Sequence, residues 1–175
     1  MLRGSILLLL LLLLRRRRGG RRRKGDAGEL LRKGLMADRR VLFVCVENAG
    51  RSLMAESFFN ESAPAGWVAE SAGTRPATRP NPRTEGFLRE VGRSLPTHAP
   101  LLLSPEQMNA ADLVITMGCL DDASCPARLK ARPLRDWALP DPAKLDDTGF
   151  RSVRDEISRR VASLIAELAA RNYVS

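Results

Sequence analysis

The chain has 175 residues, enough for one domain with a proper hydrophobic core. Its formal charge of +9 is unevenly spread: residues 1–35 carry eleven basic and two acidic side chains, and the remaining residues balance at eighteen of each. The high isoelectric point therefore belongs to the tail, and gives no reason to read the folded part as a nucleic-acid binder.

The tail is of low complexity. Ile6 to Leu14 form nine apolar residues, followed by two arginine clusters split by Gly19 and Gly20. A span across a bilayer needs about 20 apolar residues. No small-residue cleavage site follows the run, and the arginines after it oppose export. Residues 1–35 are expected to be a disordered basic tail or an over-extended start, with Met36 as the first residue of the folded part. Weak attachment to anionic lipid is the alternative. The expected domain is 36–175, monomeric and cytoplasmic.

Val41-Leu42-Phe43-Val44 is a continuous apolar run, the mark of a strand buried on both faces. A turn from Cys45 to Arg51 follows. Ser52 to Asn60 then reads as a helix, with Met54, Ala55, Phe58 and Phe59 facing inward. Val68 to Ala72 is a second strand, and 73–82 a proline-rich loop. Thr84 to Val91 reads as a helix. Ser104-Pro105-Glu106-Gln107 has the form of a helix start closed by a capping box. Leu113 to Met117 is a third buried strand, and Pro133-Leu134 marks a fourth. Phe150, Val153, Ile157, Val161, Leu164 and Leu168 recur at threes and fours, which predicts an amphipathic helix.

Alternating strands and helices imply an α/β fold with a parallel sheet covered on both faces. Right-handed crossovers place all the strands' carboxyl ends at one edge, where ligands bind. Cys45 and Cys119, after the first and third strands, can therefore lie close together.

The central motif is Cys45-Val46-Glu47-Asn48-Ala49-Gly50-Arg51-Ser52, set between a buried strand and a helix. Here backbone N–H groups of 46 to 51 can curl around one tetrahedral anion, aided by the helix N-terminus. Arg51 can offer a planar fork to two oxygens. The same field favours the Cys45 thiolate, to which Ser52 can hydrogen-bond. Asn48 is expected to hold the loop closed through neighbouring backbone, and the Glu47 carboxylate to sit at the mouth. The bland alternative is a structural cysteine and a surface arginine; the flanking strand, helix and Ser52 weigh against it.

Cys45, Cys119 and Cys125 are the three cysteines, an odd number that does not suggest a secreted disulfide framework. With one histidine, His98, no second Cys/His pair stands beside Cys119 and Cys125 to complete a four-ligand zinc site, so no metal is expected. His98 is read as a surface residue, and Trp137 as locally packed.

The run from Val41 to Cys45 and on through Arg51-Ser52-Leu53-Met54-Ala55-Glu56 resembles the opening of the low-molecular-weight tyrosine phosphatases and the arsenate reductases built on that fold. The likeness continues through Ser71-Ala72-Gly73-Thr74, Asn81-Pro82, Arg89 to Gly92 and Asp112 to Met117, covering 40–172. It implies a flavodoxin-like three-layer fold with a central four-stranded parallel sheet. Two features resemble the reductase branch. After Asp141-Pro142, Ala143 and Lys144 supply no aromatic wall for a phenyl ring. Met117 to Pro126 is similar to the segment bearing two redox cysteines, although the spacing of Cys119 and Cys125 differs from the best-known members.

The resemblance implies arsenate reduction. Cys45 attacks arsenic, Asp141 protonates the leaving oxygen, and a disulfide passes from Cys45–Cys119 to Cys119–Cys125. It implies no bound cofactor and an external thiol reductant, thioredoxin or a small thiol. Ser71 and Glu56 are read as structural hydrogen-bonding residues, with an alkali-cation role as in some relatives the alternative. The alternative function is a phosphotyrosine or phosphomonoester phosphatase using Cys45, Arg51 and Asp141.

Overall fold

The computed structural model describes residues 39–118 and 134–172. The expected 1–35 tail, the expected relay cysteines Cys119 and Cys125, and Pro133 of the expected fourth strand lie outside the described residues. Strand β1 is Arg39–Cys45, helix α1 is Arg51–Glu61, and strand β2 is Trp67–Gly73. Helices α2 (Pro82–Arg89) and α3 (Pro105–Ala110) follow, then strands β3 (Leu113–Thr116) and β4 (Leu134–Asp136). A 3₁₀ turn at Pro142–Lys144 leads into the last helix, α4, Asp147–Asn172.

All strand pairs are parallel, in the order β2-β1-β3-β4. This is the four-stranded α/β sheet that the sequence implies. β1 is paired on both edges and covered on both faces, which is why Val41 to Cys45 carry no polar residue. Alternate side chains of β1 enter different layers. Val41, Phe43 and Cys45 face α1 and α4, where Phe59, Phe150, Ile157 and Leu168 are buried. Leu42 and Val44 face Met108 and Ala111 at α3. Fully burying such a side chain contributes about 1.5–3 kcal/mol.

The chain leaves β1 for β2 on one side, then crosses to β3 on the other. The carboxyl ends of β1 and β3 therefore flank a topological switch point, where a crevice opens. Met117 N–H donates to Val44 O at 3.0 Å, which brings the chain up to Gly118 beside the end of β1.

The helix starts are chemically marked. Ser104 and Gln107 form the expected capping box. Asn81 accepts from Arg83 N–H and sets the start of α2 at Pro82, earlier than the apolar spacing alone suggests. Asp146 Oδ1 accepts from Gly149 N–H, so α4 begins before the first core residue, Phe150.

Glu90 ties α2 to α4. Its carboxylate accepts from Arg151 at 2.7 and 2.9 Å and from the buried Arg154 at 2.8 Å. Arg151 first, and Arg154 with it, hold the Glu90 carboxyl at about 2, against 4.5 ordinarily. A carboxyl depressed by folding stabilises the fold above its ordinary value and loses that contribution as pH falls toward 2. Glu90→Gln is expected to lower the melting temperature at pH 7. The gap to the parent should close between roughly pH 5 and pH 2 in thermal melts; a constant gap would sink this assignment.

Candidate active site

The loop from Cys45 to Gly50 is held from outside by its carbonyls. Cys45 O accepts from Thr74 N–H, Val46 O from Arg75, Glu47 O from Ala77 and Ala49 O from Asn81, at 2.8–3.1 Å. The buried Thr84 hydroxyl adds a second bond to Ala49 O at 3.1 Å. In a planar trans peptide the next N–H points opposite to the carbonyl. The N–H groups of 46, 47, 48 and 50 therefore turn to the concave side, where Asn48 N–H donates to Cys45 Sγ at 3.1 Å.

Gly73 makes this grip possible. A Cβ there would lie 2.6 Å from Val46 O and 2.8 Å from Asn48 N, so a larger residue at the end of β2 would push the loop outward.

Asn48 sits at φ 48°, a left-handed conformation that asparagine tolerates better than most residues. Its side chain is fully buried. Nδ2 donates to Ser52 Oγ at 2.9 Å and Ser71 Oγ at 2.8 Å, and Oδ1 accepts from Leu101 N–H at 2.8 Å. Asn48 thus ties the loop mainly through two hydroxyls rather than through neighbouring backbone. Ser52 Oγ lies 2.9 Å from Cys45 Sγ.

Arg51 is 9% exposed. Its Nη1 donates to Met117 O and to Leu139 O, both at 2.8 Å. The sequence assigns Arg51 a two-donor fork for an anion; the structure adds a second task for the same guanidinium. One nitrogen ties down two chain segments, and Nε and Nη2, which meet no acceptor among the described residues, form a two-donor edge.

Asp141 is half-buried and accepts from Ala143 N–H at 3.1 Å, closing the 3₁₀ turn. Cys45, Arg51 and Asp141 line one pocket of about 300 Å³, together with the exposed Glu47. Arg75 and Lys144 also line it, and sequence reasoning assigned neither a binding role. Arg75 lies in the proline-rich segment that grips the loop, two residues past Gly73, and only that contact carries a signal for it.

His98 is not a plain surface residue. Its Nε2 lies 3.0 and 3.1 Å from the carboxylate oxygens of Glu56, which is 7% exposed. Burial pushes the Glu56 carboxyl up despite bonds with Ser71 and His98. Burial pushes His98 down, but the Ala99 carbonyl and Glu56 outweigh it and raise the imidazole. Trp137 packs on Phe43 with centroids 5.7 Å apart. Among the described residues no group of three or more His, Cys, Asp or Glu side chains could hold a metal ion.

The Cys45 sulfur, the Arg51 guanidinium and the Asp141 carboxyl therefore share one crevice at the switch point. The family model for the low molecular weight phosphotyrosine protein phosphatases matches residues 40–173. The chain belongs to this family. A putative arsenate reductase of Halobacterium salinarum is 32% identical over 130 residues, covering 71% of this chain and 89% of that protein. A solved arsenate reductase in a phosphate-binding state is 29% identical, with TM-score 0.66, covering 74% of this chain and 98% of its own. A thioredoxin-dependent arsenate reductase of Corynebacterium glutamicum is 30% identical, with TM-score 0.61, covering 81% of this chain and 68% of its own. The family assignment accounts for the strand–loop–helix around Cys45 and for the layered fold.

Proposed function

We propose that this family member reduces arsenate to arsenite, using thioredoxin as its external reductant. The observation that carries the reading is Cys45 Sγ beside the inward amides of a pocket also lined by Arg51 and Asp141. The relatives named as arsenate reductases support the choice of oxyanion. The Cys45 thiolate attacks arsenic, and Asp141 protonates the oxygen that leaves as water, a general-acid role worth about 10²–10⁴-fold. Cys119 then attacks Cys45 sulfur. Arsenic departs as arsenite with the sulfur–arsenic electron pair, and a Cys45–Cys119 disulfide remains. Cys125 attacks Cys119, moving the disulfide to Cys119–Cys125, which thioredoxin reduces. Cytoplasmic action belongs to the same reading.

The test is arsenite production with thioredoxin, its reductase and NADPH, on the intact chain and single Cys→Ser variants. Cys119→Ser should abolish multiple turnover yet leave aryl phosphate hydrolysis within about threefold, since that chemistry uses Cys45, Arg51 and Asp141 and no second cysteine. Unchanged arsenate reduction in Cys119→Ser would overturn the relay.

A second reading, phosphomonoester hydrolysis, is favoured by the family model itself and uses the same first step. Ala143 and Lys144 line the pocket after Asp141-Pro142 and offer no aromatic ring to select a phenyl group, which supports the reductase reading over this one.

A further inference from the structure

β4 is three residues long and ends on Asp136. One oxygen of this side chain, Oδ1, accepts three hydrogen bonds. They come from Thr116 Oγ1 at 2.8 Å, Gly118 N–H at 2.7 Å and Ala138 N–H at 3.2 Å. Thr116 ends β3, and Gly118 lies two residues beyond it. Ala138 opens the segment that runs to Asp141.

The two segments touch. A Cβ on Gly118 would lie 2.7 Å from Ala138 Cα, and Gly118 itself is at φ 73°. Ala138 is at φ 47°, and besides Asn48 it is the one non-glycine residue at positive φ among the described residues. Alanine resists this conformation, which persists where its surroundings over-determine it. The Asp136 bond to the Ala138 amide is one such constraint. Arg51 supplies another from the pocket side, because Met117 O and Leu139 O, its two acceptors, adjoin Gly118 and Ala138. One carboxylate and one guanidinium thus clamp the same pair of backbone segments.

Burial pushes the Asp136 carboxyl up, but the bonds from Thr116, Gly118 and Ala138, with the charge of Arg160, hold it below the usual carboxylate range. Asp136 is therefore a full acceptor at neutral pH.

We propose that Asp136 is a positioning residue. Its Oδ1 sets residues 138–139 against residues 117–118, and so fixes where the chain delivers Asp141 to an anion held over Cys45. It acts through backbone and touches no substrate. The inference rests on the reading of Asp141 as the proton donor.

The test uses the full chain with Asp136→Ala, which removes the acceptor, and Asp136→Asn, which keeps one. In hydrogen exchange, the Gly118 and Ala138 amides should lose at least about tenfold protection in the Ala variant and recover it in the Asn variant. With the thioredoxin system, Asp136→Ala should lower kcat about 10- to 100-fold, the scale of a misplaced catalytic group. KM for arsenate should stay within about threefold, because the carbonyls of the Cys45 loop are held by residues 74–81 and Arg51 keeps its own bonds to Met117 O and Leu139 O, and Asn should restore kcat to within about threefold of the parent. The proposal is overturned if the Ala variant keeps its kcat, or if Asn is as slow as Ala. It is also overturned if KM rises in step with the loss of kcat, which would mark general damage to the loop. Should the unaltered chain produce no arsenite, the arsenate reading fails on its own. The same kcat and KM comparison is then made with 4-nitrophenyl phosphate, whose hydrolysis draws on the same acid.

Discussion

Cys45→Ser is expected to abolish arsenite formation, lowering kcat by on the order of 10⁴ or more, as loss of a covalent nucleophile does. Two physical losses combine. The hydroxyl is a far weaker nucleophile at neutral pH than a thiol, and without sulfur at position 45 no disulfide can carry electrons away from arsenic. The fold should survive the change. Cys45 sits at the end of β1 with its sulfur accepting from Asn48 N–H and bonding to Ser52, and a serine hydroxyl can occupy both bonds. Phosphate affinity measured by calorimetry should therefore stay within about threefold, since amides and a guanidinium rather than the sulfur provide the donors. Turnover above about 1% of the parent in a preparation free of other reductases would remove Cys45 from the chemistry.

Arg51→Lys should lower kcat/KM about 10²–10³-fold, the scale of removing a preorganised donor at a developing charge. Lysine keeps the charge, so the change isolates what the planar fork contributes. Nη1 supplies both Met117 O and Leu139 O while the other edge is left for an anion. A single ammonium on a flexible stem cannot reproduce that division. A buried carbonyl left without its donor costs about 1–3 kcal/mol, so urea denaturation should show a stability loss of that size. An anion-binding role alone predicts no such loss. A kcat/KM within tenfold of the parent together with unchanged stability would refute the dual role.

The candidate site was legible where it is local. Cys45, Asn48, Arg51 and Ser52 lie within one strand–loop–helix unit, and the apolar run before Cys45 marks its position. The inward face of α4 follows from helical spacing alone, because Phe150, Val153, Ile157, Val161, Leu164 and Leu168 are all buried as their period requires. The bounds of α2 and α4 were shifted by capping side chains, Asn81 and Asp146, whose effect outweighs the apolar pattern at a helix end.

What the amino-acid order determined by itself was therefore the kind of each main element, the class of the sheet and the place of the Cys45 loop. Each depends on residues within a turn or two of one another. Only the tertiary structure decided that Arg51 would hold carbonyls 66 and 88 positions away, that Arg75 and Lys144 would line the pocket, and that His98 would sit against Glu56. It also decided that Asp136 would gather donors from two segments. These pairings follow from which buried donors and acceptors meet once the sheet has closed in the order β2-β1-β3-β4. A buried polar group must find a partner, but the partner's identity is set by packing between distant segments, and local periodicity holds no record of it.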